Sequence, residues 1–362
     1  GSVGIKDSNI INAAQYNTEE TTPYGIEIRS NRGIDILADE ADVNISNNVD
    51  NGLLIRNDVT TAGDMDLKIH NNNDGGHVLN IVNRGDRIQI INNADLVGDN
   101  LSDLTSNLII SGTNIVGGYD SDGSTKLSDH DLSILNQASE KVTESYLDVT
   151  MDVKNTNNVN ITNDASGNMS VASLNGWVNG NDITLQNNSG SGNMIFHAGG
   201  GSGNTGVQNG GNIVIENSST GNLEVHGLVN NAKDFTITNN KDSNTLSIEK
   251  VRFINGGDMT ISNLGKGDLN VYIDHHAEQG IDVPAADRLI HNAGNLTIMN
   301  DQAGDLNFQG RIINDGQMLV DNNSIAGTLN IGTTSGDEMD AYITGNGYTS
   351  IINNGQIGRA HV

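Results

Sequence analysis

Residues 294–316 read GNLTIMNDQAGDLNFQGRIINDG: three short apolar-alternating runs, each closed by Asn or Gly. Strands of four or five residues cut by turn residues at this pace cannot build an ordinary sheet. Three strands and three corners in about 22 residues make one coil of a parallel β-helix, whose chain must stack to bury its inward faces. The unit recurs as NVNITNDASGNMSV from Asn158, NIVIENSSTGNLEV from Asn212, KDFTITNNKDSNTLSI from Lys233, DMTISNLGKGDLNV from Asp258 and QMLVDNNSIAGTLNI from Gln317. The period-two pattern predicts inward first-strand pairs from Val159/Ile161 to Met318/Val320. The second-strand pairs run from Met169/Val171 to Leu329/Ile331.

Asparagine falls in two fixed phases of this repeat. Asn163, Asn187, Asn217, Asn239, Asn263, Asn300 and Asn322 follow the first strand; Asn179, Asn209, Asn230, Asn255, Asn292, Asn314 and Asn353 close the third. Corners bend the backbone and turn N–H and C=O groups inward. A stacked Asn can satisfy them and bond to the Asn above and below, so the spacing predicts two internal amide ladders. Asn is about one residue in six or seven, well above ordinary usage.

Before Gly117 the pattern loosens. Ile-x-Asn recurs at Ile45/Asn47, Ile55/Asn57, Ile69/Asn71, Ile81/Asn83 and Ile90/Asn92, which reads as the same chemistry at shorter spacing. The expected organisation is one solenoid over residues 3–362, with looser coils at 8–116, an excursion at 117–149 and regular coils at 150–356. Leu132, Leu135 and Val142 are roughly helically spaced and predict a short helix inside that excursion. Smaller excursions are expected at 272–290 and 332–350, and Gly1-Ser2 reads as a cloning remnant. The expected fold is therefore all-β, a right-handed parallel β-helix with three strands per coil. About 12 coils at roughly 4.8 Å each would give a rod about 60 Å long.

Composition agrees. Aromatics are only 3% of the 362 residues, as suits a thin interior of stacked aliphatics, yet 35% hydrophobic content is enough for a continuous core. The net charge of −27, with only 18 Lys and Arg, excludes nucleic acid as a partner and disfavours anionic membranes. It favours cation binding and repulsion between neighbouring rods. There is no cysteine, and no run is long enough to span a membrane.

The unit GNLTI-x-N…G-D/N-L-x-V/F…I-x-N-x-G resembles the passenger repeats of large Gram-negative surface proteins, the filamentous haemagglutinin-like and autotransporter adhesins, leukotoxin-like filamentous adhesins among them. The resemblance is clearest over 158–355 and weaker over 24–116. It implies a secreted, surface-displayed β-helix, anchored through another part of the protein. It also implies attachment to host-cell or bacterial surface proteins or glycans, self-association in biofilms, and no catalysis. Other passengers and β-helix proteins leave two alternatives: a polysaccharide lyase or hydrolase, and a toxin-like passenger. No binding residue transfers from the family.

Four motifs stand apart from the repeat. Arg84-Gly85-Asp86 matches an integrin-type tripeptide, and equally an ordinary Asn-Arg-Gly corner. Asp120, Asp122, Asp129 and Asp131, with Gly123 between them, begin like a calcium loop but lack its third acid and closing Glu; a solvated acidic loop is the other reading. Asp274, His275, His276, Glu278 and Asp282 offer metal donors, although adjacent His residues on a strand face opposite ways. Five of the seven tyrosines, Tyr119, Tyr146, Tyr272, Tyr342 and Tyr348, fall in the three excursions, where loops on a rigid frame would form a binding platform. Asp234 and Asp258 recur ahead of first strands in the phase of Asn212 and Asn295, and read as structural rather than as a catalytic carboxylate pair. No cofactor is expected beyond calcium at the acidic loop.

Overall fold

The structure, a computed structural model, describes residues 3–6, 8–12, 24–39, 41–47, 52–59, 66–71, 77–94, 105–119, 124–138, 142, 145–199, 205–240, 242–273, 288–332, 341–354 and 356–360. Among them there is no helix, and every strand pairing is parallel apart from one isolated Tyr119–Lys126 bridge. The chain folds as a parallel β-helix. It divides into two compact units, Gly1–Thr184 with Asn188–Gly190 and Leu185–Asn187 with Ser191–Val362, each a stack of the same coil.

In the first unit the first strands Tyr24–Ser30, Gly52–Val59, Arg87–Ala94, Asp131–Ala138 and Val159–Asn163 pair in chain order. Their inward residues form columns: Ile26, Leu53, Ile88, Leu132 and Val159, then Ile28, Ile55, Ile90, Ile134 and Ile161. In the second unit the columns are Ile213, Phe235, Met259, Leu296 and Met318, then Ile215, Ile237, Ile261, Ile298 and Val320. All these side chains are buried, as the alternation requires. Second and third strands share the other sheet. In five coils they run on as one bent strand, for example Leu223–Asn231 and Leu246–Asn255, where the corner shrinks to the single irregular residue Lys250.

Two expectations about the first half are corrected. The Ile-x-Asn motifs do not mark short coils. Ile45/Asn47 and Ile81/Asn83 lie on third strands, Ile55/Asn57 and Ile90/Asn92 on first strands, and Ile69/Asn71 on a second strand. Coils there are longer: Asn57 reaches Asn92 after 35 residues and Asn92 reaches Asn136 after 44, against 22 from Asn217 to Asn239. Nor do the described residues of Leu132–Val142 form the expected helix. Leu132, Ile134 and Asn136 point inward with period two, and Asp131–Ala138 is an ordinary first strand. Val142 instead packs with Val59, Ala94 and Ala138 in a small satellite cluster. The excursion at 117–149 thus contains a coil strand between two insertions.

Both amide ladders are present. Asn57, Asn92, Asn136 and Asn163 bond Nδ2 to Oδ1 at 3.0 Å each; in the second unit the chain runs Asn187, Asn217, Asn239, Asn263, Asn300, Asn322 and Asn353 at 2.9–3.4 Å. Asn353 therefore belongs to the first-strand ladder, not to the third-strand one. The latter runs Asn209, Asn231, Asn255, Asn292, Asn314, so Asn231 takes the place expected for Asn230, which is exposed. Most of these amides spend their second hydrogen on their own corner, as Asn263 does on the Gly267 carbonyl (2.8 Å) and Asn255 on Gly257 and Asp258.

Outside, the corners are held by Asx side chains. Asp234 Oδ1 accepts from Asp258 N (2.9 Å), Asp258 Oδ1 from Asn295 N (2.8 Å), and Asn295 Oδ1 from Gln317 N (3.1 Å). Asp268 and Asp305 do the same ahead of the second strands. The corners also stack too closely for side chains: a Cβ on Gly304 would strike the Gly267 carbonyl.

Two outcomes are expected. Asn263→Ala strips a buried corner of its donor and acceptor and should cost about 1–3 kcal/mol in urea unfolding, while Asn270→Ala, on an outward face, should cost much less. Equal midpoints would contradict the ladder's role. At the corner between second and third strands Gly112, Gly227, Gly310 and Gly332 take φ of 63°, 100°, 114° and 95°, but Lys250 sits at 52°. Lys250→Gly should raise stability by about 0.5–1 kcal/mol, net of glycine's entropy; a lower unfolding midpoint would mean that Lys250 side-chain packing outweighs the strain.

Candidate functional site

With interiors and corners committed to stacking, only outward columns remain for contact. One column in the second unit carries most of the chemistry. The residue after each second-strand inward pair stacks in register: His197, His226, Glu249, Tyr272 and Gln309. A flanking column carries Glu224, Ser247, Asn270, Asn307 and Asn330. Asn307 Nδ2 donates to Asn270 Oδ1 and Asn330 Nδ2 to Asn307 Oδ1, both at 2.8 Å, so the flank is an outward amide ladder.

The strand backbones fix these side chains, and their neighbours tune them. His197 and His226 meet edge to face with ring centroids 6.4 Å apart. Burial, and then the His226 charge, hold the His197 imidazole below its usual range, and its Nε2 is buried without a hydrogen-bond partner. His226 Nε2 lies 3.7 Å from Glu224 Oε2. That polar contact holds the Glu224 carboxyl below the usual range, against partial burial. Burial first, then the carboxylates of Asp268, Glu249 and Asp305, push the Tyr272 phenol up. The stripe offers imidazole, carboxylate, phenol and amide at coil spacing, which suits a polar ligand lying across several coils.

Of the residues singled out from the sequence, Tyr272 alone lies on this stripe. Tyr119 is half-buried beneath Lys154 Nζ, 4.7 Å from the ring centroid, and Tyr146, also half-buried, precedes the strand Leu147–Asn155. Tyr342 and Tyr348 are 61% and 87% exposed on a coil that also exposes Ile351 and Ile352. Tyr119 and Tyr146 belong to the first unit, and Tyr272, Tyr342 and Tyr348 to the second.

The Arg84-Gly85-Asp86 tripeptide is a coil corner. Gly85 is buried, Ser128 Oγ donates to the Arg84 and Gly85 carbonyls, and Asp86 is ion-paired with Arg87 at 2.8 Å. Asp120 and Asp122 lie outside the described residues, as do Asp274, His275, His276, Glu278 and Asp282. Asp129 pairs with Lys126 at 2.7 Å, and Asp131 Oδ1 accepts from the Asn157 and Asn158 side chains and from Asn158 N. Both described acids thus have protein partners. Among the described residues no three His, Asp or Glu converge as a metal site. Asp234 and Asp258 serve the outer corner bonds.

His197, His226, Glu224 and Glu249 were missed from the sequence. Their signal is the residue following each inward pair, in MIFH, LEVH, LSIE, LNVY and LNFQ, read down the repeat rather than along it. Protein-family models, curated proteins and solved structures were compared with the chain, and none matches.

The Glu224–His226 contact has a testable sign. A depressed carboxyl contributes stability above the ordinary Glu range, near pH 4.3, and loses it as pH falls through the lower folded value. His226→Ala should return the Glu224 titration towards that ordinary range, followed by carboxyl-carbon NMR; an unmoved titration would show that the contact is incidental.

Proposed function

We propose that this chain is a segment of a surface-displayed bacterial adhesin, a stiff parallel β-helix that contacts host-cell or bacterial surface proteins or glycans through outward side chains. The observation that carries this reading is the stripe from His197 to Gln309 with its Asn270–Asn307–Asn330 flank. It sets polar and aromatic groups on a frame whose strands cannot rearrange without breaking the ladders. The repeat's resemblance to Gram-negative passengers supports display outside the cell, with anchoring by another part of the protein. A net charge of −27 suits a soluble, mutually repelling stalk. Among the described residues no helix is long and apolar enough to cross a membrane.

The test is a binding screen against epithelial cells, bacterial cells, matrix proteins and a glycan panel. Saturable binding is expected without release of reducing or unsaturated sugar ends and without loss of host-cell viability; either of the latter would replace the adhesin reading with an enzyme or a toxin. Tyr272→Ala combined with His226→Ala should weaken binding about tenfold or more, as for a contact centre. Separate variants should replace residues 120–123, 274–287 and 333–340 by short Gly/Asn corners. If the stripe variant binds like the parent while one of these does not, the ligand surface lies in an insertion.

A further inference from the structure

The third-strand ladder of the first unit has a gap, and a histidine fills it. Asn47 Nδ2 donates to Asn83 Oδ1 at 2.7 Å, and Asn155 Nδ2 donates to Asn179 Oδ1 at 3.0 Å. The coil between them carries Gly117, which pairs in register with both Asn83 and Asn155. His130, fully buried, occupies the space of the missing amide: a Cβ on Gly117 would collide with its ring. Its Nδ1 lies 2.7 Å from Asn155 Oδ1. Asn155 already spends its Nδ2 hydrogens on Asn158 O and Asn179 Oδ1, so its Oδ1 faces the ring as an acceptor and Nδ1 carries the proton. That leaves Nε2 as the bare nitrogen, and it is buried without a hydrogen-bond partner. A second proton would create a buried cation whose new N–H has no acceptor.

The ring also anchors a segment. Leu127 N and Ser128 N donate to Gly118 O (2.8 and 3.3 Å), Thr156 Oγ1 donates to Ser128 O (2.7 Å), and Asp131 N donates to Asp86 O (2.9 Å). With Ser128 Oγ on the Arg84 and Gly85 carbonyls, residues 127–131 cover the Arg84–Asp86 corner.

We propose that His130 is an acid-sensitive latch: its neutral ring completes the amide ladder, and its protonation releases the Leu127–His130 segment from the Arg84–Asp86 corner. The charged groups around it do not reverse this. Burial is the largest effect and holds His130 below the ordinary imidazole range, against the Asn155 Oδ1 contact and then the carboxylates of Asp131 and Asp86, the latter itself paired with Arg87. Arg84 on the same corner, Lys126, paired with Asp129, and Lys154, over Tyr119, add positive charge to the region. A folded pKa below the unfolded value leaves the latch intact above about pH 6.5 and weakens it as pH falls from there towards the folded value.

The experiment is hydrogen exchange at about pH 7.5 and pH 5.0, corrected for intrinsic rates and run with a chelator so that no bound cation contributes. Protection of the Leu127, Ser128 and Asp131 amides should fall at the lower pH, by up to about thirtyfold for an imidazole whose ordinary pKa is near 6.5. Amides of the neighbouring strand Val159–Asn163 should not change. The double variant Gly117→Asn/His130→Ala rebuilds the regular ladder without a titrating group and should lose the effect. A direct titration of labelled His130 in the parent gives a second measure, should the variant not fold. Equal protection at both pH values, a pH effect that persists in the folded double variant, or a His130 that takes up its proton with no loss of protection would each overturn the proposal.

Discussion

Each coil of this protein turns backbone groups towards its own interior at the corners, and a stacked asparagine answers them. One amide hydrogen closes the corner of its own coil and the other reaches the next coil, as Asn239 does with Asn244 O and Asn263 Oδ1. A buried corner without that amide would leave unpaired carbonyls at a cost of about 1–3 kcal/mol each. Everything else adapts to this demand: aliphatics fill the columns between ladders, glycine lets the corners approach, and Asx side chains close the corners from outside.

The same demand explains where variation is tolerated. The coil step is 22 residues from Asn292 to Asn314 but 37 from Asn263 to Asn300, because residues can be added at corners without disturbing the ladder contacts on either side. Insertions therefore collect at fixed phases, and the outward columns stay continuous past them. The gap at Gly117 shows the limit. When an insertion displaces the ladder residue, another side chain has to enter the interior, and here it is an imidazole.

Much of the fold was legible in the repeat, because period-two alternation and phased asparagine answer directly to burial and corner chemistry. What was lost turned on parity and on mixing of columns. Asn230 and Asn231 both follow Val229, and only counting two residues from an inward Val selects Asn231. Leu132, Leu135 and Val142 can be spaced as a helix, yet Ile134 and Asn136 carry the alternation that the neighbouring strands Arg87–Ala94 and Val159–Asn163 enforce. In the first half, similar Ile-x-Asn ends on three different strands look like one shorter repeat until pairing separates them. The stripe at His197 and His226 was obscured because its members are 23 to 37 residues apart and each is an unremarkable strand end. His130 gives no sequence signal except the absence of an Asn at position 117.

The internal ladders also have a direction. Inside, every amide-to-amide bond quoted above donates towards the later coil, from Asn57 to Asn92 and from Asn217 to Asn239. In the outward asparagine columns the direction reverses: Asn44 donates back to Asn9, Asn80 to Asn44, and Asn307 to Asn270. A coil's two broad faces are therefore not interchangeable. The face towards the later coil offers donors at its centre and acceptors at its rim, and the opposite face offers the complement. Two like faces brought together would oppose hydrogen to hydrogen at the centre and lone pair to lone pair at the rim. The stack thus has a built-in arrow, and coils of this kind fit one another only nose to tail.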